Sequence, residues 1–420
     1  MSNQMTFRIL REIHDIQKSP ESCFQLWYNE EDVTCIEAMI TGSPDTPYGY
    51  GMFTFKFNFP ATYPNDAPKV VITTTNQGRT RFNPNLYNNG KVCLSIIGTW
   101  QARHPSEVWN SAHGILSVLI SIQSLMGENP YTNEPGHENP GPGEEKNVEA
   151  YKRKITHETI RISVIDRIEK CLDGHLNADR KFEDVSKYLF MCYYRQYLKT
   201  IETESAKVGV NERFVKMRFE GGGNTMDGEF NYPDLTERLH KLFKRVSDET
   251  QSWVDLSKTP EWSGADCLTF HNLTGQFTQI TQSKDFDGQM DLELEEAGNP
   301  YVWVATVFGR PSTNYEGGMF RVRLVFHKDF PALRPRVTFV TPFYHPNVSQ
   351  DGIPWYRAQR MDDVKTHLAA ILSLFTDDPS TDPTTHLNPE AARLCFADKD
   401  GRREFGRNAR RCADRSVEYM

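Results

Sequence analysis

The sequence predicts an α+β fold class: two tandem copies of one fold, joined by a helical segment. Three observations predict it. A block of motifs recurs at a constant displacement, apolar runs of period two lie inside each block, and helical apolar spacing runs between and around them.

The recurring block begins with Thr41-Gly42-Ser43-Pro44-Asp45-Thr46-Pro47-Tyr48, followed by Gly49-Tyr50-Gly51-Met52-Phe53. It returns as Phe308-Gly309-Arg310-Pro311-Ser312-Thr313-Asn314-Tyr315, followed by Glu316-Gly317-Gly318-Met319-Phe320. Gly42 pairs with Gly309, Tyr48 with Tyr315, Gly51 with Gly318 and Phe53 with Phe320, each displaced by 267 positions. The displacement holds onward, where Tyr63-Pro64 with Pro68 matches Phe330-Pro331 with Pro335. One long repeat of this kind means two copies of a fold rather than a solenoid.

Each copy reads as a β-meander. In the first, stretches 34–40, 52–59 and 69–75 are rich in β-branched and aromatic residues, and Phe53, Phe55, Phe57 and Phe59 alternate onto one face of a sheet. A helix precedes them, with Thr6 as N-cap, Phe7, Leu10, Ile13, His14 and Ile16 on one side, and Pro20 beyond its end. Another is expected over 112–125, where Ile115, Leu116, Val118, Leu119 and Ile122 form an apolar stripe. The Pro- and Gly-rich run 134–145 reads as a loop. Between the copies, helices are expected near 155–172, over 188–201 and over 235–256, with a break at Gly221-Gly222-Gly223, and residues 257–290 carry no clear period. The second meander repeats over 301–308, 319–327 and 336–340, followed by helices over 361–375 and 389–397. The expected division is 1–146, a helical extension and linker over 147–256, and 257–420.

Composition narrows the function classes. The 420 residues leave room for two or three domains, and 25% charged content is that of a globular protein. Without a run of eighteen apolar residues or a charged-then-apolar N-terminus, neither membrane partner nor secretory signal is expected. A net charge of −8 argues against nucleic acid as a partner. The eight cysteines are scattered without a C-x-x-C pair, which speaks against a zinc or redox site; no cofactor or metal is expected. Thiols stay reduced in the cytoplasm and nucleus, the expected location.

The chemistry concentrates in Arg81-Phe82-Asn83-Pro84-Asn85-Leu86-Tyr87-Asn88-Asn89-Gly90-Lys91-Val92-Cys93-Leu94. This stretch resembles the active-site signature of ubiquitin-conjugating enzymes, where His-Pro-Asn precedes a cysteine by a spacing that Asn85 and Cys93 keep. The resemblance covers roughly residues 5–135 and includes the Tyr-Pro block and Trp109. Asn83 in place of histidine, the long segment 95–108 and Tyr131-Thr132-Asn133-Glu134-Pro135-Gly136 resemble most closely the large hybrid conjugating enzyme/ligase group. The resemblance implies a UBC fold in each copy: N-terminal helix, four-stranded antiparallel meander, active-site loop and C-terminal helices.

It also implies roles. Cys93 is the expected nucleophile, accepting ubiquitin or a related modifier from an activating enzyme in an ATP-dependent pathway and passing it to lysines of protein substrates. A thiolate suits this work because it attacks well and leaves well. Asn85 is the expected stabiliser, of the tetrahedral oxyanion or of the loop. Glu134 is the expected gate residue that orients the incoming lysine, with Asn133 the alternative. Arg8 and Arg11 stand on the helix that in this family docks the activating enzyme. Asn65 follows Tyr-Pro where relatives that work with RING ligases present a bulky apolar residue, so ordinary RING partnering is doubtful and hybrid ligase activity is suggested.

The second copy keeps His345-Pro346-Asn347, yet the eighth position after Asn347 is Trp355. An indole forms no thioester, so this copy is expected to be catalytically dead, and Cys395 belongs to the C-terminal helical stretch. Two other classes compete: a non-catalytic ubiquitin-binding adaptor, and a cysteine hydrolase that would bring His104 or His113 to Cys93.

Overall fold

The computed structural model describes every residue except 1–2, 30, 103, 175–180, 222–225, 265–266 and 420. Gly222 and Gly223 of the expected break therefore lie outside the described residues. Two compact units emerge: Met1–Ser186 with Tyr197–His240, and Lys187–Gln196 with Lys241–Met420. The stretch 147–256 is shared out between them.

In the first unit, α1 (Asn3–Lys18) leads into β1 (Phe24–Tyr28), β2 (Cys35–Thr41), β3 (Met52–Asn58) and β4 (Lys69–Ile72), an antiparallel sheet in sequential order. Phe53, Phe55 and Phe57 are fully buried on one face, as their alternation requires. Strand β1 is the fourth strand that the resemblance implied, but the residues alone did not place it, because Phe24-Gln25-Leu26-Trp27-Tyr28 is too short to establish a period. Helix α1 starts before Thr6, so Thr6 is not its cap. The buried stripe is Met5, Ile9, Ile13 and Ile16, while Phe7 is 70% exposed. The i, i+4 series from Met5 wins because it places four side chains on the sheet.

Helix α2 (Ile115–Leu125) begins three residues later than expected. Glu12 of α1 explains the start: its carboxylate accepts from the Ile115 N–H at 2.8 Å and from the Tyr63 hydroxyl at 2.7 Å, and pairs with Arg8. Helix α3 (Glu145–Glu158) continues through a π-helical stretch, Thr159–Asp166, into α4 (Arg167–Leu172). Gly51 lets this stretch approach the sheet, since a Cβ there would stand 2.5 Å from Thr159 Cγ2. Then come α5 (Glu183–Ser205) and α6 (Tyr232–Leu256), and between them Met217, Phe219 and Met226 return to the first core. A buried ion pair, Lys154 Nζ to Glu220 Oε1 at 2.6 Å, fastens that return.

The second unit follows the same plan with α7 (Pro260–Ser263), α8 (Leu268–Gln282), β5 (Met290–Leu294), β6 (Val302–Phe308), β7 (Met319–Val325), β8 (Arg336–Phe339), α9 (Val364–Thr376), α10 (Pro389–Cys395) and α11 (Lys399–Ser416). Its sheet is again four antiparallel strands in sequential order. Helix α8 lies in the stretch that showed no period, because threonines and glutamines dilute its buried face to Leu273 and Ile280. The constant displacement does not reach back to this helix: Gln276 Oε1 accepts from the Val364 N–H that starts α9 at 2.7 Å, as Glu12 accepts from Ile115, which sets buried Ile9 against Leu273 and Ile16 against Ile280 at a displacement of 264. The paired glycines are needed for one shared reason. A Cβ on Gly42 would meet Tyr48 O at 1.9 Å, and one on Gly309 would meet Tyr315 O at 1.6 Å.

Candidate active site

The loop around Cys93 is pinned from the core outward. The Tyr48 hydroxyl donates to Phe82 O at 2.7 Å, and Asn83 Nδ2 donates to Tyr48 Oη at 2.9 Å and to Leu125 O at 2.8 Å. Asn83 Oδ1 accepts from the Asn85 N–H at 2.9 Å, closing an Asx turn. Asn85 and Cys93 then bond each other twice: Cys93 N–H to Asn85 O, and Asn85 Nδ2 to Cys93 O, both at 2.9 Å. The Asn85 side-chain amide is thus engaged on the backbone of Cys93 itself.

Cys93 is buried at 1% exposure, and burial pushes its thiol above the ordinary range. Lys91, Arg81 and Tyr87 oppose that push by favouring the thiolate. Glu134 follows a short 3₁₀ turn, Pro130–Asn133, and its carboxylate faces Arg81 Nη2 at 3.3 Å. Burial raises its pKa, with Arg81 and His137 pulling the other way. Asn133 turns inward instead, its Nδ2 donating to Leu125 O at 2.9 Å. Of the two gate candidates, Glu134 therefore presents the titratable group and Asn133 is spent on the scaffold. Sequence reasoning singled out neither Arg81 nor Tyr87 nor Lys91. The available signal was the pair of positive charges, Arg81 and Lys91, that the stretch 81–94 carries without any acidic residue.

Around this loop, Asn65 is exposed and Trp109 Nε1 donates to Pro64 O at 2.9 Å beneath it. Arg8 reaches His113 O at 3.1 Å and pairs with Glu12, so it braces α1 on α2, whereas the Arg11 side chain is 80% exposed. His113 Nδ1 accepts from the Asn110 N–H at 3.2 Å and its ring lies on Trp109, while His104 is exposed.

The second copy builds the same loop. The Tyr315 hydroxyl donates to Tyr344 O at 2.9 Å, His345 Nδ1 accepts from Asn347 N–H at 3.0 Å, and Trp355 N–H donates to Asn347 O at 2.7 Å. Trp355 therefore occupies the backbone position of Cys93. Asn347 Nδ2 bonds Thr385 O at 3.1 Å rather than the tryptophan carbonyl. The Lys187–Gln196 portion of α5 packs on this loop. The Tyr188 hydroxyl donates to Pro354 O at 2.9 Å and accepts from Tyr356 N–H at 3.2 Å, straddling Trp355. Arg195 forms a two-pronged pair with Asp351 at 2.8 and 2.6 Å, Tyr193 donates to Thr384 O at 2.7 Å, and Gln196 donates to Leu387 O at 2.7 Å.

A sheet of this topology with a cysteine–asparagine loop beside it defines a class, and comparison with known families agrees: the ubiquitin-conjugating enzyme family matches residues 8–159 and again 273–413, so the chain belongs to that family. Similar proteins include one named ubiquitin-conjugating enzyme E2 Z from Xenopus tropicalis, 40% identical over 256 residues, covering 59% of this chain and 74% of the relative. The Homo sapiens protein of that name is 40% identical over 258 residues, covering 59% of this chain and 66% of its own length. A Mus musculus protein named dual E2 ubiquitin-conjugating enzyme/E3 ubiquitin-protein ligase BIRC6 is 42% identical over 178 residues, which is 41% of this chain and 3% of that protein.

Proposed function

We propose that Cys93 accepts ubiquitin, or a related modifier, as a thioester and transfers it to lysine, and that the second copy is a non-catalytic scaffold. The reciprocal pair of bonds between Cys93 and Asn85 carries this reading, because it holds the thiol in a rigid loop whose Arg81 faces the Glu134 carboxylate at 3.3 Å. In the first step the Cys93 thiolate attacks the carbonyl of the modifier's thioester on the activating enzyme, and that enzyme's thiolate leaves. In the second, a lysine amine attacks the carbonyl on Cys93. Glu134 takes the amine's proton, and the Cys93 thiolate departs. A carboxylate whose proton affinity is raised by burial is the better acceptor for that proton. With its amide on Cys93 O, Asn85 acts by holding the loop.

The exposed Asn65 supplies no apolar anchor for a RING ligase, which supports transfer to substrate without one. The burial of Cys93 is the observation that favours the competing reading, an adaptor that binds modifier without carrying it. A non-reducing gel after incubation with activating enzyme, ATP and modifier separates them. A reductant-sensitive adduct lost in Cys93→Ala is expected, followed by release onto free lysine. Binding of modifier without any such adduct would establish the adaptor.

A further inference from the structure

Gate and nucleophile loop meet at one side chain to which the transfer steps assign no role. Arg81 is 5% exposed. Its Nη2 donates to Pro84 O, next to Asn85, and faces Glu134 Oε2 at 3.3 Å. Its guanidinium carbon lies 4.2 Å from the centre of the Tyr87 ring, and Nη1 reaches Phe219 O at 3.4 Å. The planar fork of arginine allows these contacts together, which a lysine ammonium does not.

Packing alone is a poor reason to keep this residue. Its Nε–H is buried without an acceptor, a cost of about 1–3 kcal/mol, and burying the charge adds to it. The site gains a fixed positive charge that acts on two groups that must ionise to react, the Cys93 thiol and the Glu134 carboxyl. Of the charges that favour both ionised forms, Arg81 is the one they share.

We propose that Arg81 is a positioning residue of the thioester site, one guanidinium that locks the Pro84 carbonyl, the Tyr87 ring and the Glu134 carboxylate into a single arrangement. It couples the gate to the nucleophile loop, so that the acceptor lysine meets an oriented, ionised carboxylate. The proposal rests on the thioester reading for its consequence in transfer, but not for its effect on the thiol.

Two measurements on the full chain test it. The first is the pH dependence of Cys93 alkylation by iodoacetamide, followed by peptide mapping, which needs no modifier. Loss of a neighbouring positive charge raises a thiol's pKa, so in Arg81→Gln the alkylation midpoint moves up by roughly half a unit to one unit. Arg81→Lys restores the midpoint. The second is discharge of the Cys93 thioester to free lysine relative to its formation. In Arg81→Gln that ratio falls about tenfold and the discharge profile moves to higher pH. In Glu134→Gln, adding Arg81→Gln produces no such move. Arg81→Lys keeps the charge but not the fork, and so restores the pH profile without the full rate. If Arg81→Gln lowers only the melting temperature, with midpoint and ratio unchanged, Arg81 is a packing residue and the proposal is overturned. Failure of Cys93 to form any thioester would end the transfer reading while the alkylation midpoint still decides on Arg81.

Discussion

The chain builds one loop twice, and the two versions differ in the side chains around a shared backbone. Tyr48 and Tyr315 pin corresponding carbonyls at 2.7 and 2.9 Å, and Asn83 and His345 both accept the N–H two residues on. The amide of Cys93 and that of Trp355 both return to an asparagine carbonyl. In the first copy the surroundings are polar and titratable: Arg81, Tyr87, Lys91 and Glu134. In the second, Tyr188, Tyr193, Arg195 and Gln196 cover the equivalent loop. The loop's geometry thus stands without a cysteine, and the two versions differ in what faces it.

The sharpest way to break this comparison is to put a cysteine into the second copy. In a Cys93→Ala background, Trp355→Cys is expected to form no adduct with activated modifier, an all-or-none result on a non-reducing gel. The reason is steric. Tyr188 bonds the backbone on both sides of position 355, so an incoming thioester would meet the Lys187–Gln196 portion of α5 along that backbone. A reductant-sensitive adduct in the double variant, mapped to position 355, would show that the cover opens and that the missing thiol alone inactivates this copy.

A smaller difference lies in the residue that starts each motif. His345 is fully buried, and burial lowers its pKa from 6.5 to about 3. A depressed histidine contributes stability that is present above its unfolded value and lost as the pH falls toward the folded one. Between pH 7.5 and pH 5 the second unit is therefore expected to lose about 2 kcal/mol through this group. Asn83 does not titrate. Urea melts at the two pH values should show His345→Asn removing most of the acid loss from the second unit's transition. An unchanged acid loss would mean that His345 finds a partner for its charged form.

How much of this was legible in the sequence follows from the same contrast. The repeat, both meanders, Cys93 and its replacement by Trp355 could be read because each is a spacing, and spacing survives in one dimension. Helix α8 and strand β5 could not be read locally, since their burial is set by the sheet they join and not by their own composition. The face of α1 was misassigned because Phe7 and Leu10 compete with Met5 and Ile9 for the apolar stripe, and only the sheet decides between them. At the site, the choice between Glu134 and Asn133 was open because one residue of loop register separates them. The inward bond from Asn133 to Leu125 O now distinguishes the pair. Arg81 went unremarked because two of its contacts, Glu134 and Phe219, lie far along the chain.

The smallest expected effect comes from the reverse exchange, Asn83→His, which gives the first copy the residue of the second. An imidazole Nδ1 can accept from the Asn85 N–H as His345 Nδ1 does from Asn347, so the turn that carries Asn85 should survive. What is lost is the Asn83 Nδ2 bond to Tyr48 Oη at 2.9 Å and to Leu125 O at 2.8 Å. Leu125 O keeps Asn133 Nδ2 as a donor, and the Tyr48 hydroxyl keeps Phe82 O as its acceptor, so no backbone carbonyl is left bare. The cost should be about 1–2 kcal/mol, the net worth of two hydrogen bonds whose partners stay satisfied. Thioester formation should persist, and the first unit should acquire an acid sensitivity like that of the second. Urea melts at pH 7.5 and 5, run beside the charging gel, check all three. Loss of charging with the fold intact would show that Asn83 acts on the nucleophile loop through more than the turn it closes.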